Sequence, residues 1–135
     1  VPNAGNGWDG YFIRESSNPY DWLTPQDNNL WQGESGTNNP CPSGYRLPTE
    51  AEWEAERASW DSNDAVGAFA SPLKLPVAGR RYNSSGDLNN ADSNGYYWSG
   101  TVSGTNASYL FFSSSDASMY NYSRAGGLSV RCIKD

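Results

Sequence analysis

Six oxygen-bearing side chains crowd one stretch of this chain, and the first chemistry they suggest is the holding of a hard cation. In "NSSGDLNNADSNG" these are Asn83, Asp87, Asn89, Asn90, Asp92 and Asn94. Calcium takes about six to eight oxygens, with carboxylates supplying the charge. Asp87, Asn89, Asn90, Asp92 and Asn94 are therefore the candidate ligands for Ca2+. Asn90, Asp92, Asn94 and Gly95 even follow the opening spacing of an EF-hand. That motif needs a bidentate Glu at its twelfth position, where this chain has Thr101, and a helix where "YYWSGT" reads as a strand. An EF-hand is excluded. An irregular oxygen cage and a plain turn both remain, because Asn and Asp also tolerate turn conformations and bond their own backbone. Asp61, Asn63 and Asp64 form a weaker second cluster, and Asp27 with Asn28 a third.

The second constellation suits recognition rather than metal. Trp98, Tyr109, Asp116, Tyr120, Asn121, Tyr122 and Arg124 lie on or beside the last strand candidates. Tyrosine offers a large contact area with few rotatable bonds, and Ser and Asn add adaptable hydrogen bonds. Arg124 is placed to grip a carboxylate with two donors, a peptide C-terminus included. The plainer alternative is that tyrosine is a common strand residue whose hydroxyl reaches water. Glu50, Glu52, Glu54 and Glu56 are spread around a helix and read as a solvated face, not as paired catalytic acids.

The chain has no histidine and two cysteines, Cys41 and Cys132. Triads and cysteine–histidine pairs are ruled out, as are histidine-based zinc sites. No enzymatic activity is expected. The two cysteines are expected to form a disulfide and to place the protein in an oxidising, extracellular setting. Two free buried thiols are the alternative. A net charge of −6 argues against nucleic acid, which needs a basic patch. No apolar run approaches the roughly 20 residues of a membrane span, so no membrane insertion is expected.

These groups need elements to position them. With 135 residues, one domain spanning the whole chain is expected, and a start at Val1 suggests a mature fragment or an excised domain. Six Trp, nine Tyr and four Phe in short runs between turn residues predict many short strands and long loops. One helix is predicted over about 49–60, opened by a capping box of Thr49 and Glu52. Ala51, Ala55 and Ala58 would face a sheet, Trp53 and Trp60 the opposite side, under cover of the N-terminal segment. Asp61–Asp64 would end the helix. "LKLPVAGRRY" is broken by Pro76 and belongs at an edge. "YYWSGT" and "SYLFFSS" form a hairpin. "ASMYNYS" and "LSVRCIKD" flank an "RAGG" turn whose glycines are available for positive φ. Met119 would face the core and Tyr120 and Tyr122 the solvent. Leu128, Val130 and Cys132 would share an inward face.

At "NNPCPSGYRLPTEAEW" the chain resembles the Fibrobacter succinogenes major paralogous domain, a family of bacterial surface and secreted modules. "DNNLWQG", "GAFASPLKLPVAG", "NGYYWSGTVSGT" and "GGLSVRCIKD" extend the resemblance, in order, from about Asp27 to the end. It implies an α+β, C-type-lectin-like fold of short antiparallel strands and long loops with one main helix. It also implies an adhesion module on a bacterial cell surface, monomeric when isolated, that binds a peptide or protein segment with calcium. The Glu-Pro-Asn or Gln-Pro-Asp and Trp-Asn-Asp signatures of sugar-binding C-type lectins are missing, which makes a glycan ligand the alternative, alongside a non-binding spacer. The fold also resembles that of formylglycine-generating enzymes, but their reactive cysteine pair has no counterpart once Cys41 and Cys132 are structural.

Overall fold

A computed structural model describes residues 10–135. Its elements run β1 (Tyr45–Arg46), α1 (Glu50–Ala58), α2 (Ala65–Ala70), β2 (Arg80–Arg81), β3 (Leu88–Asn89), β4 (Gly95–Ser103), β5 (Asn106–Phe112), β6 (Ala117–Ser123) and β7 (Ile133–Lys134). The fold is mixed α+β, with antiparallel pairing throughout its named strands. The main sheet has the order β4-β5-β6, and β1 with β7 and β2 with β3 form two-stranded ribbons.

Strand alternation gives the main sheet two apolar faces. Register pairs Tyr97 with Leu110 and Leu110 with Met119. That face packs with Trp53, Ala68, Leu75 and Phe112 into one core under the helices. The opposite face carries Tyr96, Trp98 and Tyr109, packed with Leu47, Trp31 and Leu128. Long loops, not helices, cover this second face.

The capping box forms as predicted: the Glu52 amide donates to Thr49 Oγ1 at 3.3 Å and the Thr49 amide to Glu52 Oε2 at 2.7 Å. The helix it opens is shorter than predicted, and its faces are reversed. Ala51, Ala55 and Ala58 are exposed, while Trp53 is buried. Among the described residues the cover of Trp53 is the sheet, and the first nine residues of the N-terminal segment lie outside them. Its indole lies 6.1 Å from the Tyr97 ring and donates to the Trp98 carbonyl at 3.2 Å. The larger apolar surface goes inward because more area leaves water. Trp60 lies beyond the Ser59 cap, edge-on to Phe112.

Asp64 opens a second helix rather than finishing the first. Its carboxylate accepts from the Val66 and Gly67 amides at 2.9 and 3.0 Å. The last segment also departs from its prediction. Only Ile133–Lys134 forms a strand, and Val130 is 38% exposed. Ser129 instead bonds the free edge of β4, accepting from the Trp98 amide and donating to the Tyr96 carbonyl, both at 3.0 Å. Gly126 has no positive φ. It is small because a Cβ there would run into the Tyr122 ring. Cys41 and Cys132 are bridged, with the alpha carbons 5.8 Å apart.

Candidate functional site

The second face of the sheet holds a continuous run of rings. Tyr96 lies 5.4 Å from Phe111 and 5.9 Å from Tyr109, and Tyr109 lies 6.2 Å from Tyr120 and 6.3 Å from Tyr122. The predicted ligand contacts divide on this geometry. Trp98 and Tyr109 are buried, and belong to the core. Burial raises the Tyr109 pKa, against the opposing pull of the Arg80 charge. Tyr122 is half-buried and donates its hydroxyl to Asn83 Oδ1 at 3.1 Å. Tyr120, 48% exposed, is the tyrosine of this run that stands open to solvent. Met119 packs inward on the helix side, as predicted, and Asn121 is exposed on β6. Asp116 sits in the β5–β6 turn, where its carbonyl accepts from the Ser113 amide at 2.8 Å.

Arg124 does not stand ready for a carboxylate. Its side chain is only 13% exposed and sits 3.6 Å from the buried Asp21. Its terminal nitrogens already donate to Asn28 Oδ1 at 2.6 Å, to the Gly104 carbonyl at 3.0 Å and to the Asp27 carbonyl at 3.3 Å. It staples the β4–β5 turn to the loop through Asp27.

The Asx-rich stretch is built as a turn between β3 and β4. Asn90 and Asp92 both take left-handed backbone conformations, with φ of 55° and 63°. The Asn90 carbonyl accepts from the Asn94 amide at 3.0 Å, and the Asp92 amide donates to the Val77 carbonyl at 2.9 Å. Asn90 and Asn94 aim their amide nitrogens inward, donating to the Tyr96 hydroxyl at 2.8 and 3.1 Å. Asp87 is exposed where the chain enters β3, and Asn89 is paired with Arg80 in the β2–β3 ribbon. Two of the five predicted ligands, Asn90 and Asn94, thus turn their amide nitrogens to one phenol. Among the described residues no three acidic, cysteine or histidine side chains gather into a metal-holding group.

The sequence matches no family model, and no match is found among curated proteins or solved structures.

Two features escaped the sequence reading. The first is Arg80. Its guanidinium lies over three tyrosine rings, 4.5 Å from Tyr122, 4.8 Å from Tyr96 and 4.9 Å from Tyr82. Arg80 and Tyr82 are close in sequence, but Tyr96 and Tyr122 arrive through the sheet, so no local signal marks the group. The second is the outer edge of β6. The carbonyl of Ala117 turns outward to Arg57 and Asn63. Antiparallel strands aim alternate residues at alternate neighbours. Met119 and Asn121 therefore also aim their N–H and C=O groups outward. Among the described residues nothing bonds them. Nor does "ASMYNYS" carry the Lys or Pro that commonly blunts an exposed edge.

Proposed function

We propose that this protein is an extracellular recognition module that takes an extended peptide or protein segment along the outer edge of β6. The observation that carries this reading is the unpartnered edge at Met119 and Asn121 beside the exposed ring of Tyr120. Strand addition draws affinity from main-chain hydrogen bonds and selectivity from alternate side chains. Tyr120 supplies a rigid aromatic anchor for such a segment. A peptide is favoured over a glycan because the edge offers main-chain donors and acceptors at strand spacing. The Cys41–Cys132 bridge supports an extracellular setting, since such bonds persist in oxidising compartments. The mixed, mainly antiparallel fold is compatible with a C-type-lectin-like module of a surface adhesin. Binding rather than catalysis is the reading for a chain without histidine.

The test is a screen of the folded domain against peptide and glycan libraries, with calcium or with chelator, followed by the Asn121→Pro variant. Proline removes an outward N–H at an edge position, where it is tolerated. A peptide should bind the native protein and lose at least tenfold in affinity for Asn121→Pro, whose circular dichroism stays native. Capture of glycans alone, or a variant that binds as well as the parent, would refute the edge as the site. Calcium-dependent binding would restore a metal role for the Asx loop. A dimer that dissociates in Asn121→Pro would assign the edge to a second copy of the chain.

A further inference from the structure

Arg80 differs from the other partly buried arginines. Arg46 is paired with Glu52 and Asp135, Arg57 with Glu54, and Arg124 with Asp21. Arg80 meets no carboxylate among the described residues, although acids outnumber bases 15 to 9 in the chain. Its Nε is buried with no hydrogen-bond partner. Burial lowers its pKa, the Tyr82 hydroxyl raises it, and the net direction is upward. A buried cation whose donors lack an acceptor is unfavourable unless something completes it. The rings supply attraction to its face, but leave the Nε donor without an acceptor.

The cup around Arg80 is braced from outside. The Tyr96 hydroxyl accepts from Asn90 and Asn94, and the Tyr122 hydroxyl donates to Asn83. Gly126 leaves room for the Tyr122 ring. The Asx residues thus fix two of the three rings before any ligand arrives. Such bracing is what a binding site needs to avoid ordering its groups at the moment of binding.

We propose that Arg80, held among the rings of Tyr82, Tyr96 and Tyr122, is a receptor for a carboxylate of the bound segment. A guanidinium fork matches the two oxygens of a carboxylate, and the fixed rings hold that fork in one orientation. The group is either the α-carboxylate of a peptide end or an acidic side chain. This deepens the reading of the protein as a peptide-recognition module and rests on it for the origin of the ligand.

The test follows the Arg80 Nε–Hε resonance by nitrogen-15 NMR at constant ionic strength. N-acetylglycinate stands for a peptide end, the α-methylamide of N-acetyl-aspartate, with its side-chain carboxylate free, stands for an acidic residue, and N-acetylglycinamide and chloride are controls. At least one carboxylate should move the resonance saturably, and neither control should. The tighter of the two carboxylates identifies the source. Arg80→Lys, which keeps the charge but loses the fork and its Nε–Hε signal, should bind at least tenfold more weakly when both proteins are followed by the backbone amide resonances of Tyr82 and Tyr122. Absence of a saturable shift in the native protein overturns the inference whether or not the variant folds. So does a folded Arg80→Lys that binds equally well. The two readings fail separately. Peptide binding indifferent to carboxylate amidation sinks Arg80 alone, and a carboxylate shift without any peptide ligand sinks the edge alone.

Discussion

Removing the Cys41–Cys132 bridge should act mainly on the unfolded chain. The two cysteines lie 91 residues apart, so the bridge closes a loop of about that length in the denatured state. The chain-entropy relation for such a loop gives about 4.6 kcal/mol of stabilisation at room temperature. Both cysteines are only half-buried, so loss of side-chain packing adds little in a Cys41→Ala/Cys132→Ala variant. Urea unfolding followed by tryptophan fluorescence is the assay. With a slope of about 2 kcal/mol per molar, the midpoint should fall by about 2 M. The slope should also rise, because an uncrosslinked unfolded chain exposes more surface. A fall of the same size with the slope unchanged would place the effect in the folded state and refute the reasoning. A loss below about 1 kcal/mol would refute its magnitude.

Gly95→Ala should destabilise the fold by about 1–3 kcal/mol in the same assay, because a Cβ there lands on the Phe112 ring inside the helix-side core. An unchanged midpoint would mean that the ring moves aside freely. Stability should fall at both pH extremes, as read by the melting temperature. The hydrogen bond from Arg46 lowers the Glu52 pKa from 4.5 to about 2, so its contribution is complete above the ordinary carboxylate range and fades as pH falls towards 2. Burial raises the Tyr97 pKa from 10.0 to about 12, so unfolding releases its proton between those values. Stability should then drop by up to about 1.4 kcal/mol per pH unit across that window. Glu52→Gln should flatten the acid limb and Tyr97→Phe the alkaline one.

What the sequence made legible was local. The Thr49 and Glu52 capping box, the β4–β5 hairpin and the inward Met119 all follow from spacings of a few residues. The disulfide followed from cysteine count and composition. α2 was hidden because "AVGAFA" is short and apolar along its length, and its cap, Asp64, reads equally well as an end signal. The helix faces were misjudged because small size was taken as the mark of a sheet contact, whereas buried area decided the matter. The site was illegible for a different reason. Arg124 has a binding residue's neighbours in sequence, yet Asp21 and Asn28, about 100 residues away, already engage it. Arg80 gains its meaning from Tyr96 and Tyr122, which only the sheet brings together. The Asx loop offers oxygens for a cation, but Asn90 and Asn94 meet Tyr96 through their amide nitrogens.

The position of the bridge also sets how this molecule carries load. A pull on Asp135 passes through β7 and reaches Cys132 within three residues, then crosses covalently to Cys41. Tension between the two ends of the chain therefore bypasses the segment between the cysteines, which holds both helices and the whole main sheet. That segment could otherwise pay out about 300 Å of extended chain over its 91 residues. With the bridge intact, force peels only the flanks, taking Trp31 from the tyrosine face, while the strands of the main sheet are not drawn out.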